Sequence, residues 1–218
     1  MNKRTIIIIS LVSAVISLIH LLAVYYGWDR WFWLNRGGTE SYVAAYPQLD
    51  PATDGRRVVI SLTADKESLA NLKPVLLSLL DQTVRVDEIA VRLRYGLRVP
   101  AYMQDIAQIY RYAIPYGEVG CFVPAVLRER DAKTVIIMVR GNKLYGKDFV
   151  ERILAASDER PGKAIKMGGT EEEPDAILVT PAMFDERVSK YDGKSSCCLW
   201  LDKTLRRGVE VVEYSGNL

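Results

Sequence analysis

The chain has 218 residues, 49% of them hydrophobic, and a formal net charge of +2. That is enough apolar material for one domain with a real core and a separate apolar segment. The balance excludes a dedicated nucleic-acid binder: from Arg56 onward 25 lysines and arginines face 23 acids with no basic run, so no phosphate-tracking surface is encoded.

Residues Thr5 to Tyr26 carry no charge, and the run matches the roughly 20 apolar residues that cross a bilayer. It exceeds the ~7–15-residue core of a signal peptide, and no small-x-small pattern closes it, so it reads as a membrane anchor with the lipid bilayer as its partner. Tyr25, Tyr26, Trp28, Trp31, Phe32 and Trp33 form the aromatic cluster of one membrane interface, and Lys3 and Arg4 flank the other end. The positive-inside rule then puts the N-terminus in the cytosol and the remainder across the membrane, although Arg30 and Arg36 lie close on that far side. The lone His20 reads as a helix-packed side chain, since no companion ligand accompanies it. Asn35 to Gly55, with Gly37, Gly38, Pro47 and Pro51 and no sustained period, reads as a stalk or wrapping linker. The expected organisation is an anchor over 1–27, an aromatic juxtamembrane segment and stalk over 28–55, and a globular domain over 56–218.

Val58 to Leu62 has the pattern of a buried strand. Lys66 to Leu80, with Leu69, Leu72, Leu76, Leu77 and Leu80 on one face, predicts a helix, and Ile89, Val91 and Leu93 alternate in a strand over Glu88 to Leu93. Together they make a βαβ unit, without the GxGxxG of a dinucleotide site. Thr134 to Val139 predicts a strand buried on both faces, interrupted by Arg140-Gly141-Asn142. A helix follows, with Asp148 in its first turn and Phe149, Val150, Ile153 and Leu154 at helical spacing. A polar loop between a buried strand and a helix is where open α/β sheets place ligands. Further on, Gly168-Gly169-Thr170 with Glu171 to Glu173 reads as a solvated loop, Asp175 to Thr180 as a short strand, and Pro181 to Val188 as helical. Three cysteines without CxxC spacing exclude a zinc site; Cys121 bridged to Cys197 or Cys198, or three buried thiols, are the alternatives.

Several of these stretches together resemble small glycosyltransferases of the GT-A type. Ser78-Leu79-Leu80, Gln82-Thr83 and Asp87-Glu88-Ile89 are similar to that family's opening "Sll.Qt…d.I". Gly117 and Pro124 keep the spacing of its "yGPatKliP". Leu144-Tyr145-Gly146, Asp148-Phe149 and Leu154 follow its central "DDD…lYg.df…l". Trp200, Leu205 and Gly208 follow its "DDiWls..L…G". The resemblance implies a compact, Rossmann-like α/β fold with a mixed, mainly parallel sheet flanked by helices, preceded here by one transmembrane helix.

It also implies where the chemistry would sit. Arg140-Gly141-Asn142 stands in place of the acidic triplet that holds the metal and the diphosphate, and Cys121 in place of a basic diphosphate contact. Cys197-Cys198 replaces the acidic pair that includes the general base. An arginine and an amide supply no carboxylate oxygens for a hard cation, and a thiol supplies no fixed charge. The expectation is therefore a degenerate glycosyltransferase with no metal and no cofactor, serving as a structural or protein-binding component. A virion or capsid-associated membrane protein of a large DNA virus is one concrete form. The alternative is a metal-independent transferase, with Thr63, Cys121, Arg140 and Asn142 toward a nucleotide sugar and Asp202 or Asp185 as base. A third reading is an accessory subunit that binds a nucleotide sugar or glycan without turnover.

Overall fold

The structure is a computed structural model that describes all residues except 1, 26–27, 54, 65, 113–122, 130, 171–173, 190–200, 202 and 215–218. It falls into two compact units, Met1–Gly38 and Thr39–Leu218.

The first unit holds two helices, α1 (Lys3–Tyr25) and α2 (Trp28–Arg36). No residue of α1 is buried, and the helix is long and apolar enough to cross a membrane by length and composition.

The second unit opens with α3 (Thr39–Ala45) and a 3₁₀ turn at Tyr46–Gln48. This segment is tied to the sheet domain by backbone pairing: Arg85 N–H donates to Asp50 O and Ala52 N–H to Arg85 O, both at 2.8 Å. The Tyr46 hydroxyl accepts the Val86 N–H at 2.8 Å. Burial pushes the Tyr46 phenol up to about 12, with the Val86 hydrogen bond pulling the other way. Above the ordinary tyrosine value the unfolded chain binds fewer protons than the folded one, so stability falls as pH rises. Between about pH 10 and 12 roughly 2–3 kcal/mol of stability is lost through this group. Thermal melts across that window are expected to show a shallower decline for Tyr46→Phe than for the parent. Equal slopes would refute the assignment.

Seven strands form one sheet: β1 (Val58–Ala64), β2 (Glu88–Arg94), β3 (Gln108–Tyr112), β4 (Val135–Val139), β5 (Ala164–Met167), β6 (Ala176–Val179) and β7 (Val211–Tyr214). Their order is β3-β2-β1-β4-β6-β5-β7, with β6 antiparallel to β4 and β5 and the other pairs parallel. The βαβ opening and the buried central strand therefore stand as the residue pattern predicts. All five residues of β4 are buried, as an interior strand of a doubly covered sheet requires.

The expected helix over Lys66 to Leu80 is two helices, α4 (Lys66–Leu69) and α5 (Leu72–Leu80). Pro74 explains the break. It has no N–H to offer the Ala70 carbonyl and its ring would clash there, whereas in the first turn of α5 its missing donor costs nothing. Pro181 to Val188 is likewise no continuous helix. It forms 3₁₀ turns at Pro181–Met183 and Glu186–Ser189, because Phe184 between them pairs in an antiparallel bridge with Leu205. The short strands β3 and β5 have no counterpart in the sequence reading; with five and four residues they are too brief to show a period.

One face of the sheet is covered by α6 (Val123–Arg128) and the 3₁₀ turns, where Val123, Val126, Ile136, Met138, Ile177, Phe184, Val188 and Leu201 form one apolar cluster. At the amino-terminal edge Arg128 pairs with Glu88 at 3.0 Å and with Glu129 at 2.8 Å, and Arg57 pairs with the same two acids. The Tyr110 hydroxyl donates to Glu88 at 2.9 Å, which ties β3 to β2.

Candidate functional site

The loop after β4 is built by residues far from it in sequence. Just beyond α5 the Gln82 side chain, buried, spends its amide on two carbonyls, Ser78 O at 2.7 Å and Gly146 O at 2.6 Å. Its own oxygen accepts the Val150 N–H at 3.1 Å. Val150 lies in the first turn of α7 (Phe149–Glu159), whose leading residue Asp148 makes no side-chain cap. Gln82 thus acts as that helix's cap from the bend that follows α5. Ser78 Oγ accepts the Tyr145 N–H at 3.2 Å, and Thr83 N–H donates to Lys147 O at 2.8 Å.

Tyr145 closes the other side. It is fully buried and packs on Phe149 with ring centroids 4.6 Å apart. Its hydroxyl accepts the Arg140 N–H at 2.7 Å and directs its proton toward Asp175 O at 2.9 Å, with Arg140 O at 3.2 Å. One phenol oxygen therefore joins the end of β4 to the start of β6.

The frame presents Arg140, Gly141 and the exposed Asn142 at the carboxyl ends of the strands. Thr63 pairs with Arg92 across β1 and β2, and β1 pairs with β4 through Ser61 and Met138, so Arg140 is the next residue of the same row. A Cβ built on Gly141 would stand 3.3 Å from the Thr63 carbonyl oxygen and 3.5 Å from Leu72 Cδ1. The structure therefore brings Thr63, Arg140 and Asn142 to one place.

Of the other expected residues, Asp185 is not brought there. Asp185 follows β6, whose last residue Val179 stands opposite Ile136 in the amino-terminal half of β4. Its carboxylate pairs with Arg187 at 2.7 Å, and the Arg187 side-chain hydrogen bonds hold it below the usual carboxylate range. A carboxylate so engaged is a poor general base, and it is remote from the loop. Cys121, Cys197, Cys198 and Asp202 lie outside the described residues, as does the run Glu171 to Glu173.

Asp175, which sequence reading passed over, belongs to the site, whereas Arg92 stands in register with Thr63 and turns its side chain to Tyr110. Asp175 is the carboxylate beside the loop, and Lys143 neutralises it at 3.0 Å. Arg92 is only 6% exposed, and its guanidinium lies 5.5 Å from the Tyr110 ring, which Arg128 also approaches at 4.4 Å. Nothing in the sequence marks Arg92 as buried, because it falls on the polar side of the alternation with Glu88 and Arg94. Among the described residues no group of three or more histidine, cysteine, aspartate and glutamate side chains is placed to hold a metal ion. What the loop offers is cationic and neutral: hydrogen-bond donors suited to an anion, with no carboxylate cage.

No protein-family model matches the chain, and no curated protein matches it in sequence. Solved structures do match. The chain is similar to 4-diphosphocytidyl-2C-methyl-D-erythritol synthase from Anaerococcus prevotii DSM 20548, with a TM-score of 0.52 and 13% identity over 74% of this chain and 88% of that one. HddC from Yersinia pseudotuberculosis follows at 0.49 and 14%, covering 72% and 89%. TarS residues 1–349 from S. aureus, in complex with UDP, stand at 0.47 and 11%, covering 73% and 61%. At such identities the likeness is one of fold, and the fold is the GT-A-like α/β architecture: a mostly parallel seven-stranded sheet flanked by helices.

Proposed function

We propose that the chain is a membrane-anchored, glycosyltransferase-like protein that has lost catalysis and serves as a structural or partner-binding component. The observation that carries this reading is the contrast inside one loop. Its supports, Ser78, Gln82, Thr83 and Tyr145, are hydrogen-bonded throughout, while the residues it presents are Arg140, Gly141 and Asn142. Sugar transfer from a nucleotide needs stabilisation of the departing diphosphate and a positioned base. The carboxylate beside the loop, Asp175, is engaged by Lys143, and Asp185 by Arg187. The apolar helix α1 supports an anchor, with the sheet domain on the side of the membrane opposite Lys3 and Arg4. A virion or capsid-associated membrane protein is one form such a component takes.

A second reading has one observation in its favour. Arg140 lies in the same row as Thr63 and Arg92 at the carboxyl ends of the strands, and arginine is a bidentate phosphate partner. On that reading the domain binds a nucleotide diphosphate without metal. The diphosphocytidyl group named for the Anaerococcus enzyme is of this ligand class.

Calorimetry of the full chain in detergent micelles separates the two. Nucleoside diphosphates and nucleotide sugars, with and without manganese, are expected to give no heat, and no nucleoside diphosphate is released on incubation. Turnover of any donor overturns the proposal. Metal-independent binding weakened about tenfold or more by Arg140→Ala, the loss of one charge-assisted contact of roughly 1.5–3 kcal/mol, establishes the second reading instead.

A further inference from the structure

The amphipathic character of α2 carries an inference of its own. At helical spacing Leu34, Trp31, Trp28 and Phe32 fall on one arc that also takes in Asn35, while Arg30 and Trp33 fall on the opposite side. Trp28 is 69%, Trp31 44% and Phe32 42% exposed, whereas Leu34 at the edge of the arc is 1% exposed. Three large exposed aromatics on one face of a nine-residue helix form an apolar patch of the kind that soluble surfaces avoid. Phe32 and Trp33 meet edge to face at 5.9 Å, and the Arg36 guanidinium lies 4.9 Å over the Phe32 ring, a cation held beside the aromatic face.

The position of α2 in the chain indicates what covers that face. The 23 residues of α1 span about 35 Å at 1.5 Å per residue, longer than the roughly 30 Å hydrocarbon core, so the crossing is complete before α2 begins. The face is aromatic rather than aliphatic, the composition of the headgroup level rather than of the acyl interior. Asp29, Arg30 and Arg36 leave the helix with little net charge, so attraction to anionic lipid is not its main force.

We infer that α2 is an interfacial helix that lies along the membrane surface with Trp28, Trp31 and Phe32 inserted among phospholipid headgroups. This rests on the anchor reading of α1. It makes the first unit a two-part attachment, a span followed by a surface helix, rather than a span and a free tether.

Tryptophan fluorescence tests it directly, because α1 contains no tryptophan and the chain has four, three of them in α2 and the fourth at Trp200. The full chain is reconstituted in phosphatidylcholine vesicles brominated either near the glycerol or near the chain end. Trp28→Phe and Trp31→Phe combined serve as the background, since that variant keeps an aromatic face and loses only its fluorophores. Subtracting it removes any contribution of Trp33 and Trp200. Shallow bromines are expected to quench the α2 signal at least about twofold more than deep ones, the depth of an interfacial belt. The ratio is expected to be the same with or without phosphatidylglycerol. Equal or stronger quenching by deep bromines overturns the inference, as does absence of lipid quenching, or quenching that requires phosphatidylglycerol. Flotation after alkaline carbonate extraction reads α1 separately. A chain that floats without shallow quenching refutes the surface helix alone, and one that fails to float refutes the anchor and the surface helix with it.

Discussion

Replacing Tyr145 with alanine is expected to destabilise the sheet domain by about 3–5 kcal/mol, the range for truncating a fully buried aromatic side chain. For a unit of this size that corresponds to a fall in Tm of roughly 6–20 °C. Tyr145→Phe separates packing from hydrogen bonding. It keeps the ring on Phe149 and leaves the Arg140 N–H and the Asp175 carbonyl only their direct bond to each other at 3.2 Å; two hydroxyl hydrogen bonds of about 0.5–1.5 kcal/mol each are lost, a cost of about 1–3 kcal/mol. Thermal melts of the full chain in micelles, followed by near-UV circular dichroism, read both. A phenylalanine variant within about 0.5 kcal/mol of the parent would mean that the hydroxyl does not hold the loop, because surface-like effects fall in that range.

Gln82→Ala is expected to cost about 2–4 kcal/mol. The side chain serves two carbonyls and one amide N–H at once, and truncation removes all three hydrogen bonds in a place with little access to water, leaving the Gly146 carbonyl only the Phe149 N–H at 3.2 Å. Gln82→Glu is the informative companion. It preserves the acceptor for the Val150 N–H while removing the donors to Ser78 and Gly146, so most of the loss should persist. Because Gln82 and Tyr145 grip the same nine-residue stretch from opposite sides, Gln82→Ala and Tyr145→Phe are expected to couple by about 0.5–3 kcal/mol in a double-mutant cycle. Strict additivity would show that the loop is two independent halves.

These two residues also explain what was readable from the chain. Ser78, Gln82 and Thr83 occur in one motif and Leu144-Tyr145-Gly146 in another, and the structure shows them bonded to each other. Asp87 is a similar case: its carboxylate accepts the Val58 N–H at 2.7 Å and its own N–H donates to Val58 O at 2.9 Å, so the first two strands are pinned by a residue already in the motif. A pattern made of mutually bonded residues survives as spacing. The placement of Arg92 beside Thr63 could not be read in the same way, because it depends on strand register, which is set by pairing across the sheet. Asp185 illustrates the other limit. Its distance from the loop follows from the reversed direction of β6, and four residues of buried strand look the same in either direction.

Gly141 limits what the loop can carry. Carboxylates could be written back at positions 140 and 142 with only the local environment to satisfy. At the middle position any side chain starts 3.3 Å from a β1 carbonyl, a contact tighter than nine in ten that real Cβ atoms make, and the backbone would have to retreat by a few tenths of an ångström first. An acidic triplet here would therefore need β1 to give by that much as well as three changes of side chain. By itself that movement confers no metal affinity.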